Sequence, residues 1–527
     1  MKKCLLIAAT IAIVSVQFFY APAGWLAFSE AQILGETKSP RAVPDATETR
    51  AAADCCPKPA GGALSTLGDA AQIARAHESA QDSDPAFDLR LTQNLPYPKD
   101  EGNPKPLLEQ PLPLSPLAAE SWITSSQPKA AFHQAPAVSQ NPPLKVKDVG
   151  LTILQIGDSH TSADYFTGEV RRYLQARYGN GGPGYIDAGK PHPGVRSAAL
   201  KVSATKGWNY AALQKGDDPR DFYLSGFTAK AARSGESLNF SSKTPIPYDL
   251  VELEVVTGPK RGAVDVAFDG GEPIHNTLAE DRQDRIVYRF MPDGSAPNVL
   301  RRISITTSDG QPVAISALSI FNKSYGVSYS NIGFPGATIN IVNKFDPKLL
   351  KDELKRIAPQ IIVLAFGTNE GFNDHLDLSK YREHYLTVIR KIRSSLPGVT
   401  LVMIGPPQSE RVSSGCIKNA GSTRCDTEST STGGSMCAWP VPPKLDRVRE
   451  LQRNLAKEEA IPFWDWANIM PAKCGADAWY GSSPRLVTRD HVHFTAEGYR
   501  MSARRFIEFL DPIIAQFQSK SYALSDH

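Results

Sequence analysis

The stretch from Leu151 to Tyr178 constrains the fold more than any other part of the chain. Residues 152–156 form an apolar, β-branched run typical of a buried strand. Gly-Asp-Ser at 157–159 interrupts the run, and apolar residues then recur with helical spacing as far as Gly179. A serine on such a turn is exposed at the carboxyl edge of a sheet, where helix-start N–H groups can stabilise an oxyanion. Ser159 is therefore a candidate nucleophile.

The same helix–strand rhythm returns after residue 345 and indicates a parallel, doubly wound α/β sheet. The stretches 146–194 and 325–520 are predicted to form this domain together. The predicted helices are 345–358, 378–396, 443–460 and 495–517, and the predicted strands are 361–366, 400–404 and 462–465.

Residues 195–324 have a different pattern. Short apolar–polar alternations, such as 251–255 and 264–268, are separated by Gly, Pro, Asp and Asn. Short strands with frequent turns and no convincing helix predict an inserted β-sandwich. Such a module can bind an extended substrate, or it can serve only for packing.

The N-terminal part is predicted to lie outside the folded core. Residues 1–31 combine Lys2-Lys3, an apolar run and small residues, which indicates a signal peptide or a retained signal anchor. Residues 32–145 are rich in Ala, Pro, Ser and Gln and predict a disordered linker. The net charge of +3 gives no indication of nucleic-acid binding.

Three later segments offer partners for Ser159. The glycine-containing loop at 331–338 includes Gly336, and Asn369 follows the strongly apolar run 361–366, so both are expected near the carboxyl edge of the sheet. An Asn369 amide there is either an oxyanion donor or a helix cap. Asp490 and His493 lie three residues apart, so that the carboxylate can orient the imidazole.

Two other sequence patterns could indicate a ligand-binding site, but neither is interpreted as one. The glycine-rich stretch 179–184 follows a helix and lacks a P-loop lysine, so it is predicted to be a plain loop. His491 and His493 could suggest a metal, but no cysteine or carboxylate cluster surrounds them at ligand spacing in the sequence. No metal and no cofactor are expected.

The four segments, in this order, resemble the signature blocks of the SGNH (GDSL) hydrolase superfamily. The resemblance assigns Ser159 as nucleophile, Asp490 and His493 as its partners, and Ser159, Gly336 and Asn369 as oxyanion donors. The third block of the family usually ends in aspartate, where this chain has Glu370. Gly-Asp-Ser-His-Thr at 157–161, with a β-domain inserted after it, is similar to bacterial peptidoglycan O-acetylesterases, whose inserted module resembles a carbohydrate-binding sandwich.

This resemblance implies a periplasmic or cell-envelope serine esterase that removes O-acetyl groups from a polysaccharide, with peptidoglycan as the leading substrate. The same residues would also suit a polysaccharide O-acetyltransferase with a membrane partner, and a non-catalytic glycan-binding protein is the third alternative. The sequence does not decide whether the N-terminus tethers the protein to a membrane. It does not indicate the oligomeric state.

Four cysteines between the third and last blocks have spacings unlike those of zinc motifs. In an exported protein they are expected to form two disulfides. Three pairings are open, one of them Cys416–Cys425 with Cys437–Cys474.

Overall fold

The computed structural model describes residues 150–216, 219–292, 298–411, 439 and 441–524, together with the backbone of a strand at 25–29. Seventeen strands are present in these ranges. In chain order they are β1 (Trp25–Ser29), β2 (Leu151–Gly157), β3 (Gly184–Asp187), β4 (Lys201–Ala204), β5 (Asn209–Ala212), β6 (Phe227–Ala231), β7 (Ser237–Pro247), β8 (Leu250–Thr257), β9 (Ala263–Phe268), β10 (Ile274–Thr277), β11 (Asp284–Pro292), β12 (Val299–Thr307), β13 (Val313–Phe321), β14 (Val327–Gly333), β15 (Ile361–Ala365), β16 (Thr400–Gly405) and β17 (Phe463–Asp465).

Eight α-helices lie in the same described ranges, and two of them are single turns directly after strands of the parallel sheet. They are α1 (Ser159–Ser162), α2 (Tyr165–Tyr178), α3 (Pro347–Ile357), α4 (Thr368–Gly371), α5 (Leu378–Ser395), α6 (Leu445–Glu458), α7 (Gly475–Tyr480) and α8 (Ala496–Leu524). None of the described helices is long and apolar enough to cross a membrane.

The parallel sheet has the order β14-β2-β15-β16-β17, and every neighbouring pair in it is parallel. Side chains of successive strand residues alternate between two apolar cores. Leu154 packs with α3, α5 and α6 in one core, and Ile153 packs with α2 and α8 in the other. Helices therefore cover both faces, as the alternating sequence pattern predicts.

Strand β14 differs from the sequence prediction. Residues 331–333 were expected in a loop, but they continue a strand whose Gly333 lies opposite Gly157 of β2. Asn331 and Gly333 are typical of turns, and the parallel pairing with β2 holds them in a strand.

Two antiparallel sheets account for the region between α2 and β14. One has the order β10-β9-β12-β7-β4, and the other contains β1-β11-β8-β13-β6-β5 with β3 beside β13. Apolar residues of both sheets share one buried cluster, an arrangement that the predicted sandwich requires. Strand β3 belongs to this region although it precedes residue 195.

A buried network of charges joins the antiparallel region to the parallel sheet. Arg356 of α3 forms ion pairs with Glu252 and Glu254 of β8, and it donates to Glu353 at 2.8 Å. The Arg356 side chain is 6% exposed and the three carboxylates are buried, so they have lost most of their hydration. Glu252 has a second partner in Arg289 at 3.1 Å, whereas Arg356 is the cation paired with Glu254 and Glu353. Tyr185 of β3 also donates its hydroxyl hydrogen to Glu254.

Because the network is buried, Arg356→Gln should leave Glu254 and Glu353 without a cationic partner, while Glu252 keeps Arg289, and should destabilise the fold by about 3–5 kcal/mol. Lys348→Gln is the control, since it breaks the exposed α3 pair with Asp352, a change expected to cost less than about 1 kcal/mol. Urea unfolding of both variants measures the difference. An equal effect of the two changes would contradict the proposed importance of the network.

Candidate active site

The edge of the parallel sheet positions the serine. Gly157, at the end of β2, lies between Gly333 of β14 and Ala365 of β15 in the strand register. Ser159 follows as the first residue of α1, and the Asp158 side chain caps that turn by accepting from the N–H of His160. The short turn after a buried strand thus presents the Ser159 hydroxyl at the carboxyl edge, as the sequence predicts.

The structure brings Ser159, His493 and Asp490 into one line. The Ser159 Oγ lies 2.9 Å from Nε2 of His493, and Nδ1 of His493 lies 2.6 Å from Oδ2 of Asp490. The serine and the histidine are 334 residues apart in the chain. This geometry allows His493 to take the hydroxyl proton while Asp490 fixes its tautomer.

Hydrogen bonds hold Asp490 as a carboxylate. Its Oδ1 accepts from the hydroxyl of Thr488 at 2.6 Å and from the N–H groups of Val492 and His493. Burial would raise the pKa of Asp490, but His493 and these donors lower it below its usual value. Burial would lower the pKa of His493, but Asp490, with a contribution from Asp158, raises it above its usual value.

The predicted oxyanion donors lie on neighbouring loops. Asn369, in α4 directly after β15, donates from Nδ2 to the carbonyl oxygen of Ala337 at 2.8 Å. This bond joins Asn369 to the turn of Gly336, whose φ of 76° is favourable for glycine. The N–H groups of Ser159 and Gly336 have no acceptor among the described residues. Asn369 is not the cap of its helix, because Gly367 occupies that position.

The structure adds Tyr499 to the site and gives a position to His160, which from the sequence is either a residue that shapes the site or a simple turn residue. His160 is buried, its Nδ1 lies 2.9 Å from the hydroxyl of Tyr499, and its ring centroid lies 5.3 Å from that of His493. Burial lowers the pKa of His160 to about 3, so it is neutral. Tyr499 lies one turn into α8, and only packing, not sequence spacing, places it beside residue 160.

Residues 304–501 match the sequence model of the GDSL-like Lipase/Acylhydrolase family. The chain contains a GDSL-like acylhydrolase domain. The match includes Gly336, Asn369, Asp490 and His493, whereas Ser159 lies before it and reaches the site through β2. A search of curated proteins gives no match.

Solved structures extend the comparison of this acylhydrolase domain. A peptidoglycan O-acetylesterase is 25% identical, with 70% of this chain and 92% of that chain covered and a TM-score of 0.55. A family two carbohydrate esterase from Cellvibrio japonicus is 12% identical, with 62% and 98% covered and a TM-score of 0.23. An acetyl xylan esterase is 16% identical, with 36% and 82% covered and a TM-score of 0.24. Of these three, the first alone exceeds a TM-score of 0.5.

Asp490→Asn should lower kcat about ten-thousandfold, because the amide cannot stabilise the imidazolium or enforce its tautomer. The carboxylate raises the pKa of His493, and the neutral histidine is the base. Activity of the parent should therefore rise with pH to a plateau, with a midpoint above the ordinary histidine value. In the variant this midpoint should move to lower pH. A pH–rate profile with a nitrophenyl acetate measures both effects, and an unmoved midpoint would contradict the assignment of Asp490.

Asn369→Ala should lower kcat by about a hundredfold or more, because one donor to the oxyanion is lost. Asn373→Ala, four residues further along, is the control and should keep the parent rate. Steady-state kinetics with the same ester compare them. A similar loss in both variants would indicate a structural effect of this loop rather than a role in the oxyanion hole.

Proposed function

We propose that this protein is a serine esterase that removes O-acetyl groups from a cell-envelope polysaccharide, with O-acetylated peptidoglycan as the first substrate to test. The observation that carries the proposal is the line of contacts from Ser159 through His493 to Asp490, with separations of 2.9 and 2.6 Å. The acylhydrolase fold and the similarity to a peptidoglycan O-acetylesterase support the same reaction class.

In the first half of the reaction, the Ser159 oxygen attacks the acetyl carbonyl carbon while His493 Nε2 accepts the hydroxyl proton. The negative charge on the carbonyl oxygen is stabilised by the N–H groups of Ser159 and Gly336 and by the Asn369 amide. When the tetrahedral intermediate collapses, His493 returns the proton to the departing sugar oxygen. The acetyl group stays on Ser159 as an ester.

In the second half, water attacks the acetyl-enzyme and His493 removes a proton from it. The intermediate collapses, the proton passes to the Ser159 oxygen, and acetate leaves. These steps need no redox change and no cofactor.

A cavity with basic side chains favours an anionic substrate, and neither Ser159 nor His493 lines it. Its lining includes Lys190 and Arg196 from the segment between β3 and β4, and Lys201 at the start of β4. The N–H of Arg196 donates to the carbonyl oxygen of Ser162 in α1, so the cavity lies against the helical turn that begins with Ser159. Peptidoglycan carries carboxylates that such cations can attract. In this proposal the antiparallel region contributes to glycan binding.

The proposed substrate requires export. We propose a periplasmic or cell-envelope location, reached through the segment 1–31, which either is cleaved or stays as an inner-membrane tether. Residues 25–29 of this segment form β1 beside β11, so here the structure departs from the prediction that the whole segment lies outside the folded core. Residues 1–24 and 30–149, which include the linker 32–145, lie outside the described residues. Cys416, Cys425 and Cys437 also lie outside them, so the predicted disulfides stay a prediction.

Ser159→Ala should abolish acetate release from O-acetylated peptidoglycan, with kcat reduced roughly a millionfold. Ser394→Ala is the matched control, because Ser394 lies on the exposed surface of α5. Enzymatic assay of free acetate from the isolated polymer measures the loss.

Acetate release by the Ser159 variant at the parent rate would exclude an acyl-enzyme on this residue. Release from nitrophenyl acetate but not from the polymer would exclude the proposed substrate. Sugar-bound acetate formed from an acetyl donor, without free acetate, would identify the O-acetyltransferase alternative.

A further inference from the structure

A second group of titratable side chains converges behind the turn that contains Asp490 and His493. It consists of Glu410 from the loop after β16, Asp477 from α7, and His491 between the two triad residues. One ligand atom from each lies within 4.8 Å of the others. Glu410 and His491 are 81 residues apart in the chain, so the fold and not the local sequence assembles this group.

Hydrogen bonding inside the group leaves one oxygen unpaired. Nδ1 of His491 lies 3.1 Å from Oε2 of Glu410 and can donate to it. The same Nδ1 lies 3.7 Å from Oδ1 of Asp477, which is too far for a hydrogen bond. This oxygen is shielded from solvent and has no hydrogen-bond partner among the described residues. A buried oxygen in this condition lacks the compensation that buried polar groups usually have.

We propose that Glu410, Asp477 and His491 bind a divalent transition-metal ion, with Zn²⁺ as the first candidate. Carboxylate and imidazole ligands lie about 2.0–2.1 Å from zinc, so neighbouring ligand atoms of a tetrahedral site are about 3.3–3.4 Å apart. The distances of 3.1 and 3.7 Å from Nδ1 to the two carboxylates lie on either side of this value. An ion between the three atoms would satisfy the Asp477 oxygen and balance both carboxylates.

The surroundings of His491 suit a fixed ligand. Its φ of 56° is in the left-handed region, which costs free energy for any residue other than glycine. The N–H of Glu410 donates to the His491 carbonyl oxygen at 3.0 Å, and the ring of Trp439 stacks on the imidazole with centroids 4.0 Å apart. These contacts hold Nδ1 towards the two carboxylates.

The site would have a structural role. The triad contacts are made by Ser159, His493 and Asp490, and none of the three proposed ligands is among them. An ion on His491 would join the turn between Asp490 and His493 to α7 and to the loop after β16. It would thereby stabilise the triad geometry without entering the reaction.

The test is metal binding by the purified protein. After incubation with Zn²⁺ and exhaustive dialysis, plasma mass spectrometry should find about one ion per chain in the parent, and less than a tenth of that in Asp477→Asn and Glu410→Gln. Added Zn²⁺ should raise the Tm of the parent but not that of the two variants. Mn²⁺ and Ca²⁺ serve as comparison ions.

Asp265→Asn is the matched control, because Asp265 pairs with His275 on the exposed surface at 2.8 Å. It should keep the metal content of the parent. Circular dichroism checks that each variant is folded, and the near-isosteric Asp477→Asn suffices if Glu410→Gln does not fold. Equal zinc in Asp477→Asn and the parent, or none in the parent, would overturn the proposal. The readout is independent of esterase activity, so it is distinguishable from a failure of the proposed function.

Discussion

The register of three parallel strands is the constraint on which the site depends. Gly157 of β2 lies between Gly333 of β14 and Ala365 of β15, so the three strands end together at one edge. A Cβ on Gly333 would lie 2.2 Å from the backbone nitrogen of Ser162, so a glycine at this position allows α1 to pack directly against β14. A shift of the register by one residue would reverse which side chains face each core and move Ser159 away from its partners.

The other half of the triad depends on a short turn rather than on the sheet. Within it, the N–H of Thr488 donates to the carbonyl oxygen of His493 at 2.8 Å, and Asp490 accepts from the backbone of the same turn. Phe494 then inserts into the core shared by α2 and α8. Local bonds therefore fix the separation of Asp490 and His493, while packing fixes their distance from Ser159.

The sequence could predict the parts of the fold that follow from local patterns. The segments around Ser159 and Asn369 combine an apolar run with turn residues, and each forms a strand followed by a helical turn. Asp490 lies in a turn before the last helix, as its turn residues predict. Arg356 and Asp477 could not be assigned in this way, because a charged residue on a helix usually faces solvent and its partner lies far along the chain. Strand β14 was not predicted, and residues 331–333 were assigned to a loop because Asn331 and Gly333 are typical turn residues.

Glu370 shows how a departure from the family pattern is accommodated. Its Oε1 accepts from the N–H of Ile339 at 2.8 Å, and so it supports the segment that follows Gly336. Burial, together with the charge of Asp158, raises the pKa of Glu370 to about 8, although backbone hydrogen bonds oppose the rise. Glu370 is then mostly protonated at neutral pH. A carboxylate beside Asn369 would repel the negative charge that develops on the acetyl oxygen, whereas a neutral carboxyl supports the loop without that penalty.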